Sequence, residues 1–279
     1  MSLLIADSGS TKTDWIYIHD SKEISFRTDG ANPWQMSEED FSRILKHEVL
    51  SKTENGSAEN ILFYGAGCGT KEKQDSWRTV ILNCFPDANV EVNSDLLGAA
   101  RALCGNSPGI VAILGTGSNS CFYDGTTIVK TRPSPGYIFG DEGGGSHIGK
   151  MFLAKYLSGE LNSALADMFE QQTKMNSQKI LDGTYKQSHP NRFLASFASF
   201  VIDNSGNEQC RNILEESFHA FTAKHILRYD VKQFKVNVTG SVGMHCHDLL
   251  EKLWKRSGIQ TGKFIDKPIA GLKEFHLKK

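Results

Sequence analysis

The chain has 279 residues, 39% hydrophobic and 23% charged, with 26 Gly and no low-complexity tract; this is a globular composition with room for two domains or one large one. Its 31 basic and 32 acidic residues are well mixed and sum to -1, which leaves no electrostatic footprint for a nucleic-acid backbone. No apolar run approaches the ~20 residues that span a bilayer, and the first residues lack the pattern of a signal peptide, so a cytoplasmic protein without a membrane partner is expected.

In chain order, "SLLIADSGSTKTDWIYIHDSKEISFRTDG" alternates apolar stretches with turn residues and predicts a three-strand meander over 3–6, 15–19 and 24–27. Its first turn is rich in Gly, Ser and Thr. Ser37 is placed to cap a helix carrying Phe41, Ile44 and Leu45 at helical spacing. "NILFYGAGCG" reads as a strand entering a glycine turn, 74–84 as a helix, "NVEVNSD" as a strand and 96–103 as a helix. Such alternation predicts an α/β layer with parallel pairing.

"CGNSPG" at 104–109 reads as a junction, after which the order restarts. "GIVAILGTGSNSCFYDGTTIVKTR" is again strand, small-residue loop, strand, tight turn, strand. Aligning Gly9 with Gly117 sets Ser8, Gly9, Ser10 against Thr116, Gly117, Ser118, and the shared context predicts a duplication. The expected domains are 1–107 and 108–279, the C-terminal segment being free to pack back on the first. The second half otherwise predicts helices over 146–161, 192–203 and 208–227. A strand in "FKVNVTGSVG" then enters a glycine turn at 240–243, and a helix follows over 247–255.

A Gly/Ser/Thr turn brings several backbone N–H groups to one point and adds hydroxyl donors, which makes a phosphate cradle. The Walker loop needs a helix after GxxxxGK[ST], whereas "DWIYIH" alternates like a strand; the dinucleotide fingerprint lacks its further glycines. What remains is a hairpin phosphate loop made twice, by Ser8, Gly9, Ser10, Thr11, Lys12 and Thr13 and by Gly115, Thr116 and Gly117, with a third turn at Gly240 and Ser241. Two ordinary hairpin turns are the bland alternative. Lys12 suits either a phosphate contact or a solvated turn. Asp7, at a strand end, suits Mg2+ held through water beside substrate phosphates. The six cysteines show no CxxC pair and read as reduced thiols. His245 and His247 in "MHCHDLL" do not share a helix face and read as exposed side chains rather than metal ligands.

Taken together, "ADSGSTKTDW", "LGTGSNS" and "VTGSVG" resemble the two phosphate motifs and the adenosine motif of the actin/Hsp70/hexokinase superfamily. "GANPW", "NSDLLGAARAL" and "GYIFGDEGGG" are similar to the N-acetylglucosamine kinase branch, grouped with the BadF/BadG/BcrA/BcrD ATPases. The resemblance implies an α/β fold of two similar ribonuclease H-like (actin-like ATPase) domains around a nucleotide cleft that closes on its ligands. It also implies an ATP- and Mg2+-dependent kinase acting on a hydroxyl, the 6-OH, of an amino sugar, with a homodimer left open. By the same resemblance Asp95 is the general base, with helix capping as its bland alternative. Asn32, Thr116, Asp141 and Glu142 are then sugar contacts. Vertebrate members carry Gly-Trp where this chain has Ser134-Pro135, so N-acetylglucosamine, glucosamine and N-acetylmuramic acid all remain candidate sugars. The competing classes are an iron-sulfur activator, against which Cys68 has no suitable second ligand nearby in sequence, and a sugar-sensing module without turnover, against which Asp7, Asp95 and both loops are intact.

Overall fold

The structure, a computed structural model, describes residues 2–20 and 22–278. In chain order its first half runs β1 (Ser2–Ser8), β2 (Lys12–His19), β3 (Lys22–Asp29), α1 (Glu38–Ile44), β4 (Asn60–Gly65), α2 (Lys71–Cys84), β5 (Asn89–Ser94) and α3 (Asp95–Cys104). The second half opens with β6 (Gly109–Leu114), β7 (Ser118–Tyr123) and β8 (Ile128–Thr131). Seven helices follow: α4 (Gly136–Phe139), α5 (Gly145–Leu157), α6 (Ser163–Thr173), α7 (Ser177–Tyr185), α8 (Pro190–Ser196), α9 (Ala198–Asp203) and α10 (Glu208–Lys224). The chain then returns through β9 (Val236–Thr239), α11 (Ser241–His245), α12 (His247–Arg256), β10 (Thr261–Ile265) and α13 (Ile269–Leu277). Two compact units result. The first holds the residues up to Ser107, Asp124–Ile128 and the chain from Lys267 on; the second holds Pro108–Tyr123 and Val129–Asp266.

Each unit is built on a five-stranded mixed sheet, β3-β2-β1-β4-β5 in one and β8-β7-β6-β9-β10 in the other. The strand order is the same in both. In the first sheet β1 pairs antiparallel with β2 and parallel with β4, and β4 runs parallel to β5. β6 likewise pairs antiparallel with β7 and parallel with β9. The duplication therefore lives in topology rather than in loop letters. In the first hairpin Ser8 faces Thr13, whereas in the second Leu114 faces Ser118, so its turn is one residue shorter. The match of Gly9 with Gly117 consequently does not survive as a structural register: Gly9 follows β1 directly, and its counterpart after β6 is Gly115.

Strand alternation decides the packing of the first unit, because successive side chains leave a strand on opposite faces. Leu4, Ala6, Trp15, Tyr17, Ile61, Phe63, Val90 and Val92 take one face and pack with Phe41, Trp77, Val80 and Ile81 of α1 and α2. Leu3, Ile5, Leu62 and Tyr64 take the other, against Leu97 and Ala102 of α3 and Leu272 and Ile269 of α13. Leu272 is fully buried there, so Leu272→Ala is expected to lower the unfolding free energy by about 2–4 kcal/mol in urea titrations. The second unit has its own core, in which Phe152, Phe169, Phe200 and Phe218 surround Ile110, Ala112 and Leu114 of β6.

Local signals explain several element ends. Ser37 caps α1 by accepting the N–H of Asp40 at 3.1 Å, as expected. α2 starts at Lys71, ahead of the expected 74, because Thr70 caps it. The helix expected over 146–161 stops at Leu157 ahead of left-handed Gly159, the one over 192–203 divides at Phe197 into α8 and α9, and the one over 208–227 becomes α10 plus a short 3-10 turn. Among the described residues no helix is long and apolar enough to cross a membrane. All six cysteines are free thiols, four of them buried.

Candidate functional site

The parallel strands of the first unit end in one row, Ser8 opposite Gly65 and Gly65 opposite Ser94. Ligands of α/β sheets bind outside the carboxyl ends of such strands. Asp7, the β1–β2 loop, the turn after Gly65 and Asp95 all stand at this edge.

The loop is braced from below. The Ser8 hydroxyl accepts the N–H of Ala31 at 3.1 Å and meets the Thr13 hydroxyl at 2.8 Å, and Thr13 in turn donates to the Asp29 carbonyl at 3.0 Å. Both hydroxyls are fully buried, so Ser8 and Thr13 hold the loop up rather than face a ligand. Gly9 donates to the Lys12 carbonyl at 2.9 Å and closes the hairpin, leaving Thr11 and Lys12 exposed at its tip. A Cβ on Gly30 would stand 2.3 Å from the Gly9 carbonyl oxygen, so only glycine lets the chain leaving β3 pass beneath the tip. Asn32 donates from Nδ2 to Ser10 Oγ at 3.0 Å and accepts the N–H of Trp34 at 2.9 Å, which ties "GANPW" to the loop. One N–H and one lone pair of that amide remain for a ligand.

Asp95 is the first residue of α3, and the cap is Ser94, whose hydroxyl accepts the N–H of Leu97 at 3.2 Å. The capping role weighed for Asp95 therefore belongs to its neighbour. Asp95 accepts the N–H of Leu96 at 2.8 Å. Removal from water pushes its carboxyl up to about 6, against the pull of the backbone amides. Asp7 rises further, to about 7, through burial and then through Asp95 and Asp14, with Lys267 and Lys12 pulling the other way.

Asp14 was not legible as part of this group until the strands were paired: it stands directly opposite Asp7 on β2. It is also where the local cations go, for Arg27 Nε and Lys267 Nζ both reach its Oδ1, at 2.9 and 3.2 Å. Among the described residues no cation stands within ion-pair distance of Asp7. The same acidic surroundings act on Cys68, whose thiol burial and then Asp95 push up to about 12. A thiol held in its protonated form is a poor ligand for iron.

In the second unit the β6–β7 loop leans on α5. Gly115 and Thr116 accept, through their carbonyls, the N–H groups of Gly145 and Ser146, each at 2.8 Å. Buried Asp141, in the left-handed region at φ 61°, accepts from the Ser118 N–H at 3.4 Å and from the Ser146 hydroxyl at 3.3 Å. Burial raises its pKa, only partly offset by these bonds. Glu142 is buried and ion-paired to Lys224; burial pushes its carboxyl up, but Lys224 outweighs this and the net shift is downward. Ser217 accepts the Gly143 N–H at 2.9 Å and meets His147 Nδ1 at 2.8 Å. α10 thus fixes the segment carrying "GDEGGG" through Ser217 and Lys224, two polar residues of a helix that the sequence marked only by its apolar stripe. Gly240, at φ 107°, is the third glycine turn; a Cβ there would stand 2.4 Å from the Leu114 carbonyl oxygen. Ser241, exposed, opens α11.

The two mixed sheets of one strand order define an α/β protein of the two-domain actin-like ATPase fold that ROK-family sugar kinases share. A protein from Porphyromonas gingivalis described as a "putative N-acetylglucosamine kinase" is 37% identical, with 99% of both chains covered and a TM-score of 0.94. The chain belongs to that N-acetylglucosamine kinase-like family. A protein of the same description from Chromobacterium violaceum is 16% identical over 98% of both chains, with a TM-score of 0.79. A ROK-family glucokinase from Streptomyces griseus, in complex with glucose and AMPPNP, is 14% identical over 99% of this chain and 98% of its own, with a TM-score of 0.59. At those identities the latter two share the fold. No sequence profile of a known family matches the chain, and no curated protein sequence does.

Proposed function

We propose that the protein is an ATP-dependent sugar kinase, within the grouping that includes the BadF/BadG/BcrA/BcrD ATPases, which transfers the γ-phosphoryl group of ATP to the 6-OH of N-acetylglucosamine or a related amino sugar. The observation that carries this is Asp95: a carboxylate at the start of α3, at the ligand edge of a sheet, whose partial burial lifts its pKa to about 6. A general base works best with a pKa near the working pH. In the proposed step Asp95 takes the proton of the sugar hydroxyl. The freed oxygen bonds to the γ-phosphorus, the bond from that phosphorus to the β–γ bridging oxygen breaks, and ADP leaves.

The β1–β2 loop, the β6–β7 loop and the Gly240–Ser241 turn are the proposed phosphate and nucleotide contacts, with Lys12, exposed at the first tip, as a phosphate partner. Asn32, Thr116 and Asp141 are the proposed sugar partners. Glu142 is committed to Lys224 and on this view shapes the segment rather than binding sugar directly.

Mg2+ fits the first unit. Asp7 is a carboxylate raised by burial and then by its acidic neighbours Asp95 and Asp14, and a divalent cation beside it would relieve that repulsion. Mg2+ keeps several waters and substrate phosphate oxygens in its shell, so one or two protein carboxylates suffice to hold it. When bound with ATP, Mg2+ would neutralise charge on the phosphate oxygens.

Purified protein with ATP, Mg2+ and a panel of N-acetylglucosamine, glucosamine and N-acetylmuramic acid is expected to release ADP in a sugar-dependent way. ADP at background with every sugar would sink the kinase reading.

A further inference from the structure

Three carboxylates, Asp7, Asp14 and Asp95, gather at the ligand edge of the first unit. Asp7 and Asp14 are cross-strand partners, so their side chains leave the sheet on the same face. That face is the one covered by α3 and α13. Lys267 lies two residues ahead of α13, and its ammonium reaches Asp14 Oδ1 at 3.2 Å. Arg27 reaches the same oxygen from the neighbouring strand, but its side chain is 49% exposed, against 32% for Lys267. The more sheltered cation at the acidic edge is therefore delivered by the C-terminal segment.

We propose that Lys267 is a positioning residue for the metal and phosphate edge: its ammonium is the resident counter-cation of the Asp14–Asp7 pair, and it competes electrostatically with a divalent cation at Asp7. This rests on the kinase reading above, in which Asp7 takes the metal. Two unit charges several ångströms apart at a half-solvated site differ in energy enough to change an ion's affinity severalfold. The effect has a sign that a merely structural lysine would not produce. Removing Lys267 leaves the carboxylate pair more negative, so it should strengthen binding of a bare divalent cation even as it loosens the contact with Asp14.

The test uses the full-length protein and Mn2+ alone, without nucleotide or sugar, followed by calorimetry or by the paramagnetic signal of free Mn2+. Lys267→Met is expected to bind Mn2+ about fivefold more tightly than wild type. Lys267→Arg, which keeps the charge, should match wild type. Lys273→Met removes a different ammonium of α13, paired with Glu23 at 3.1 Å, and should also match wild type, because that pair lies away from the carboxylates. If Lys267→Met fails to fold, Lys267→Gln replaces it. The inference is overturned if folded Lys267→Met or Lys267→Gln binds Mn2+ no tighter than wild type, if Lys273→Met tightens it equally, or if wild type takes up no Mn2+. Sugar-dependent ADP release by the wild type, measured separately, keeps the kinase reading standing in any of those cases.

Discussion

Asp95→Asn is expected to lower kcat about a thousandfold while leaving sugar affinity within about threefold of wild type. Asparagine keeps the shape, and through its carbonyl oxygen it can still accept the Leu96 N–H that Asp95 holds at 2.8 Å. It cannot take a proton from a sugar hydroxyl. The wild type supplies the complementary signature. With the carboxyl lifted to about 6 by burial, the base is ionised above that pH and protonated below it. At saturating Mg2+, which would hold Asp7 ionised, kcat/KM should therefore be level above pH 7 and fall about tenfold per unit below pH 6. The residual activity of Asp95→Asn should lack that acid limb. Stopped assays of ADP formation from about pH 5 to 8 on both proteins check this, and a variant that keeps wild-type turnover would remove Asp95 from the chemistry.

Most of the first unit was legible in the sequence because its strands alternate cleanly and its helices carry apolar stripes, with Ser37 marking the start of α1; the caps Thr70 and Ser94 were not, so α2 begins three residues ahead of its expected start and the cap of α3 lies one residue ahead of Asp95. The missed elements carry weaker local signals. β10, "TGKFI", has no fully buried residue, so no apolar alternation marks it. α6 and α7 lie in the long helical insertion between β8 and β9, where apolar residues have partners on several sides. α13 owes its place to α3 and β1, which are distant in sequence. The same contrast holds for the site. Asp7, Asp95 and the two loops are contiguous motifs, whereas Asp14, Ser217, Lys224 and Lys267 matter through pairings that exist only once the chain has folded. Asn32 and Asp141 stand between these cases: visible as polar residues in turns, but with internal hydrogen bonds that no spacing announces.

Asp7→Asn should stabilise the protein at neutral pH while disabling it. In the folded chain Asp7 is raised from an ordinary carboxylate value of 3.8 to about 7, by burial first and then by Asp95 and Asp14. Between those two values the native state holds a proton that the unfolded chain has released. Stability from this group is accordingly intact at pH 4, is lost progressively as pH rises toward 7, and stays lost above it. Asparagine mimics the protonated carboxyl at every pH, so the variant escapes that loss. A shift of about three units corresponds to roughly 4 kcal/mol at most, and the partial exposure of Asp7 reduces the expected gain to about 1–3 kcal/mol at pH 8, with none at pH 4. Urea unfolding of both proteins at the two pH values, without divalent ions, measures the difference, and Asp95, common to both, largely cancels. Turnover should move the opposite way, falling at least about a hundredfold, because the carboxylate that destabilises the empty fold is the one left to meet a cation at the phosphate edge. Asp7→Asn less stable than wild type at pH 8 would mean that the cations on Asp14 already neutralise this edge, and that the fold has no unmet charge there for a metal to answer.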